Sequence, residues 1–71
     1  MSEAFFIMTC HERHRLYRIN AANDGDFVGF IWFDEDCNAW VFELVNSNFH
    51  FTAPALQEIL EFMQGLEGAE Q

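Results

Sequence analysis

Cys10, His11 and His14 stand close together near the start of the chain, and with Cys37 and His50 they are its best candidates for binding a soft metal or attacking a substrate. Structural zinc usually announces itself as two close ligand pairs, such as a C-x2-C followed by an H-x3-H. Here the second half of the pattern has no pair, so these residues read as small thiols and loop histidines. A Cys10 and His14 nucleophile pair lacks both a third group to orient the histidine and a glycine turn to hold an oxyanion. Asp34-Glu35-Asp36 supplies oxygen ligands of the kind calcium takes, yet the glycine, the distant Glu and the flanking helices of a helix-loop-helix calcium site are missing. The sequence therefore predicts a non-enzymatic protein with no catalytic residue, no metal site and no cofactor.

What the polar residues do form is a field of one sign. The only cations are Arg13, Arg15 and Arg18, there is no lysine, and from residue 19 to the end ten carboxylates stand without a single Lys or Arg. The formal charge is -9. Such a field attracts basic surfaces and repels nucleic acid and anionic lipid, which excludes direct nucleic-acid binding and argues against a membrane role. Arg15 and Arg18 fall on opposite sides of one strand and cannot make a single phosphate clamp. At least one arginine is expected to pair with Glu12 or with a neighbouring subunit.

Charge alone would suit a disordered tail, but the chain is 51% apolar with nine Phe and two Trp, so it is expected to fold. No apolar run approaches the roughly 20 residues that span a bilayer. The acidic opening is unlike a basic leader, and with two cysteines this predicts a reduced, cytoplasmic protein. A single domain of 71 residues buries only about 60% of the surface its unfolded chain exposes, so a second copy would help it.

The elements that must position these groups follow from hydrophobic period and turn chemistry. Residues 4–10, 14–21, 27–33 and 39–45 read as strands, with a short fifth over 49–51 left open; Asn23-Asp24-Gly25-Asp26 and residues 34–38 supply turns. A helix is predicted over about 53–67, capped by Thr52, with Pro54 in its first turn and Leu56, Ile59, Leu60, Met63 and Leu66 as its buried stripe. Residues 1–3 and 68–71 are expected to fray. The fold class is α+β: an antiparallel meander of four or five strands, with one C-terminal amphipathic helix on one face, which face being open.

One helix covers one face, yet strand three is apolar on both: Phe27, Ile31 and Phe33 on one side, Val28, Phe30 and Trp32 on the other. Trp32 and Trp40 are expected to stand opposite each other on adjacent strands. The leftover aromatic face predicts either a homodimer through the sheet or a docked partner. The acidic turns of a meander lie at opposite ends, so Asp24 and Asp26 are separated from Asp34, Glu35 and Asp36 by about 25 Å at the strand rise of about 3.3 Å per residue. Glu43, Glu58 and Glu61 would fill the space between them if the helix lies on that side, with Trp32 as an apolar anchor.

In size, in its lysine-free acid excess and in its acidic hairpin Asp34-Glu35-Asp36, the chain resembles the small inhibitors made by phages and mobile elements, including anti-CRISPR proteins and other nucleic-acid mimics. That resemblance implies occupation of a basic nucleic-acid channel in a protein partner. The expected binding residues are Asp24, Asp26, Asp34, Glu35, Asp36, Glu43, Glu58, Glu61 and Trp32. The alternative is a small assembly protein that dimerises through its aromatic sheet face, with charge serving solubility alone.

Overall fold

The computed structural model describes residues 4–11 and 15–69. Four strands, β1 (Phe6–His11), β2 (Leu16–Ala21), β3 (Phe27–Asp34) and β4 (Ala39–Leu44), form one antiparallel sheet in sequential order, and α1 (Ala53–Ala69) follows. This is the expected α+β meander with one C-terminal helix. No strand is described over residues 49–51. The helix continues through Gly68 and Ala69, which were expected to fray, whereas the expected fraying of residues 1–3 and 70–71 lies outside the described residues.

Each turn closes by the chemistry its residues offer. Between β2 and β3, Gly25 takes a left-handed φ of 78°, and its N–H donates to the Ala21 carbonyl at 2.9 Å. Between β3 and β4, Asn38 takes φ of 55°, a conformation Asn tolerates, and the Asp36 N–H donates to Asp34 Oδ1 at 2.9 Å.

Strand parity sends Phe6 and Met8, Tyr17 and Ile19, Ile31 and Phe33, and Trp40 and Phe42 to the same side of the sheet. That side meets α1. Ile19, Val28 and Ile31 are wholly buried there, with Phe6, Trp40, Ala55 and Ile59 around them. Val28 belongs to this core against the expected alternation, because one step of β2, Ile19 to Asn20, spans two steps of β3, Gly29 to Phe27. The extra residue makes a bulge that turns Val28 to the helix side and leaves Phe27 on the other with Phe30. Gly29 is required at this point, since a Cβ there would overlap the backbone carbonyl oxygen of Glu43 on β4.

Thr52 caps the helix as expected, with its carbonyl accepting from the Leu56 N–H at 3.0 Å. The buried stripe differs from the expected one: Ala55 and Ile59 are buried, Phe62, Met63 and Leu66 pack against the core, and Leu56 and Leu60 are about half exposed. At 100° per residue this is a rotation of about 50° about the helix axis. Phe62 explains it, because its ring meets Tyr17 edge-on at 5.0 Å, and an aromatic ring buries more surface than a leucine. The segment before the helix closes the core, with the Phe49 and Phe51 rings each tilted against Phe6 and Phe51 edge-on to Phe42.

Trp32 and Trp40 are not a cross-strand pair. Trp32 stands opposite Val41 and Trp40 opposite Phe33, on opposite sides of the sheet, because the hairpin register pairs residues whose numbers sum to 73. Trp40 packs between Tyr17 and Phe33, and its Nε1 has no hydrogen-bond partner among the described residues.

Candidate functional site: an uncovered aromatic face between two acidic turns

Among the described residues, no element covers the side of the sheet away from the helix. Alternation places Thr9, Arg18, Phe30 and Glu43 in one row across the four strands, and His11, Leu16, Trp32 and Val41 in the next. Phe27 joins them because of the bulge. Its ring meets Phe30 edge-on at 5.2 Å, and the Arg18 guanidinium lies 4.7 Å above the Phe27 ring. Such stacking is worth about 0.5–1 kcal/mol at an exposed site and shields the ring without hiding it. Phe27, Phe30, Trp32, Leu16 and Val41 are half-buried by their own neighbours alone, and Ile7 at the edge is 53% exposed.

Acidic turns stand at both ends of this face. At one end, Asp24 and Asp26 sit in the β2–β3 turn, where Asp24 Oδ1 accepts the Asp26 N–H at 3.0 Å. At the other, Asp34, Glu35 and Asp36 lead the β3–β4 hairpin, where the Asp34 carboxylate also accepts from the Cys37 thiol. That hydrogen bond, then the carboxylate's charge, pushes the thiol above its usual pKa. In each turn a carboxylate orders the backbone and holds its neighbours outward.

The nine residues expected to bind a partner therefore do not form one patch. Glu43 and Trp32 lie on the uncovered face, while Glu58 and Glu61 ride on the helix at the opposite side of the sheet. The strip from turn to turn is not filled by the helix, because the core residues of strand two to four all face it and Glu43 alternates away. Glu58 is also engaged: its two carboxylate oxygens accept the Phe5 and Phe6 N–H groups at 2.8 and 2.9 Å, tying the helix to the start of β1. Glu61 accepts from Gln57 Nε2 one turn away. Alternation along the sequence already set Phe30 beside Trp32 on the leftover face, but Arg18 was not counted among the binding residues there. The row of Arg18 and Phe30 with Glu43 becomes visible only when the register is known.

Arg15 and Arg18 do lie on opposite sides, as their spacing requires, with Arg15 placed 4.5 Å above Phe33 on the helix side. The expected pairing of an arginine with Glu12 falls, with Arg13 and His14, outside the described residues. Cys10 and His11 end β1, Cys37 sits in the hairpin and His50 precedes the helix; both cysteines are free and exposed. Among the described residues no three His, Cys, Asp or Glu side chains come together to hold a metal ion. Nor is any helix among them long and apolar enough to cross a membrane. A half-open cavity of about 490 Å³ lies at the Asp24 end, lined by Phe5, Phe6, Phe49, His50 and Thr52 together with Asp24 itself.

No protein-family model matches the chain, and neither a curated protein nor a solved structure matches it.

Proposed function

We propose that the protein is a non-enzymatic binding protein that docks its acidic turns onto a basic, nucleic-acid-binding surface of another protein, in the manner of a nucleic-acid decoy. The observation that carries this reading is the state of the five turn carboxylates. Asp24, Asp26, Asp34, Glu35 and Asp36 stand in the turns at the two ends of one sheet, where Asp24 and Asp34 accept N–H groups of their own turns, so a negative field gathers where a partner would meet it. Of the cations, Arg18 is stacked on an aromatic ring. Steering by such a field raises association rates and falls steeply with salt, and paired charges then discriminate among partners.

Two carboxylate groups at opposite ends of a strand suit a groove that normally holds two separated phosphates. The cavity beside Asp24 adds phenylalanine faces and a carboxylate, a setting that accepts an arginine or lysine side chain. Glu58 and Glu61 take no part in this contact, the first because its oxygens hold the backbone of β1. The test is capture by the tagged protein from its host's lysate, at low and high salt and with competing duplex DNA. A nucleic-acid-handling complex should be retained at low salt, released by DNA, and lost when Asp34, Glu35 and Asp36 are together changed to Asn, Gln and Asn. Retention that is indifferent to salt and DNA would overturn the reading.

A further inference from the structure

The row Arg18, Phe30, Glu43 has a symmetry that the acidic turns do not explain. Arg18 is directly opposite Phe30 on one side and Glu43 directly opposite it on the other, so a cation and an anion stand one strand to either side of a central ring. Both charged side chains are exposed, and among the described residues no element covers this face and neither side chain has an ionic partner. We propose that this face is an isologous interface with a second copy of the chain, held by reciprocal Arg18 and Glu43 pairs on either side of stacked Phe30 rings.

The charges select the geometry. A twofold axis running along β3, midway between the two sheets, lays β2 of one copy over β4 of the other and brings each Arg18 over the partner's Glu43. An axis running along the row instead stacks Arg18 on Arg18 and Glu43 on Glu43, which repels. Aligned sheets pack about 10 Å apart at about -30°, a gap that the two extended charged side chains bridge between them. Because the row crosses the centre of the face, that rotation displaces its ends little. Phe30 and Trp32 meet their own images, Leu16 meets Val41, and the apolar centre is closed.

The area sets the strength. On this axis β2, β3 and β4 overlap and β1 overhangs, so three strands about 4.8 Å apart and six residues long give a flat footprint of roughly 300 Å² per copy, and the dimer buries about 600 Å² or somewhat more, the size of a weak, transient contact. This fits a weak, reversible dimer that forms at high protein concentration. The net charge of -9 on each copy opposes it, and salt screens that repulsion, so the dimer tightens as salt rises while binding to a basic partner loosens. The two proposals thus respond to salt with opposite sign, and either can fail alone.

Sedimentation over a concentration series, at about 0.05 and about 0.5 M salt, provides the test. Wild type should dimerise more strongly at the higher salt. Arg18→Glu and Glu43→Arg should each weaken the dimer by about tenfold or more, and the double exchange should restore it to near the wild-type constant. Acrylamide quenching of wild-type fluorescence gives a readout without any variant: Trp40 is buried in the core, so the quenchable signal is that of Trp32 and should fall as the protein is concentrated. A monomer at every concentration, a dimer indifferent to both single exchanges, a double exchange that fails to restore it, or a Trp32 that stays equally quenchable in the dimer would each overturn the proposal.

Discussion

The two sides of this one sheet are almost equally aromatic, yet they have different fates. On the helix side, Tyr17, Phe33, Trp40 and Phe42 meet Phe62, Phe51 and the apolar stripe of α1, and the central Ile19, Val28 and Ile31 lose all contact with solvent. On the other, the Phe27 and Phe30 rings meet each other, Arg18 lies over Phe27, Trp32 stands between Leu16 and Val41, and no element among the described residues covers them. Composition does not separate the sides; covering does. One face holds the protein together, and the other stays open among the described residues.

Substitutions should divide along the same line. For a chain of 71 residues the total stability expected at about 0.05–0.15 kcal/mol per residue is roughly 4–10 kcal/mol, so core losses are severe. Ile31→Ala should cost about 2–5 kcal/mol in denaturant unfolding. Gly29→Ala should cost a comparable amount, because the new methyl meets a backbone carbonyl that cannot swing aside. An Ile31→Ala protein as stable as wild type would deny that the helix side is the core.

Glu58→Ala should cost about 1–3 kcal/mol, since it strips two backbone N–H groups of a charged acceptor and frees the helix from β1. Hydrogen exchange at Phe5 and Phe6 should accelerate in step. Next in size, Trp32→Ser should change stability of the monomer by less than about 1 kcal/mol, although it sits one residue from Ile31. The contrast between these adjacent positions is the sharpest measure of the two faces.

Replacing Asp34, Glu35 and Asp36 by their amides should alter stability least, by about 0.5 kcal/mol or less, while slowing association with a basic partner. Asp34→Asn carries a further signature. Without the carboxylate that holds its proton, Cys37 should ionise at lower pH and alkylate faster at mildly alkaline pH. An unchanged alkylation rate would remove Asp34 from contact with the thiol.

The meander, the strand and turn positions, the Thr52 cap and the separation of the acidic turns were legible because each rests on local chemistry. Asp-Gly and Asn turns bend the chain wherever they occur, and alternation or 3.6-residue spacing marks an element whatever it packs against. Three readings failed for a common reason. Val28 changed sides at a bulge, Leu56 and Leu60 were displaced by Phe62, and the two tryptophans were set apart by register. Each depends on which groups meet across space, and no spacing along the chain encodes that.

The candidate site divides in the same way. Its charge was readable, since an excess of carboxylates is a property of composition. Its shape was not: Glu58 reads as a surface acid until its oxygens are found on the N–H groups of β1, and Arg18 and Glu43 are unrelated until β3 is seen between them. By itself the sequence determined that this is a small, one-signed α+β domain with more aromatic surface than one helix can cover, because charge and period are carried by each residue in place. Only the tertiary structure decided which face is covered and which residues share the open one, because the direction of every side chain beyond the bulge depends on a backbone pairing that joins distant parts of the chain.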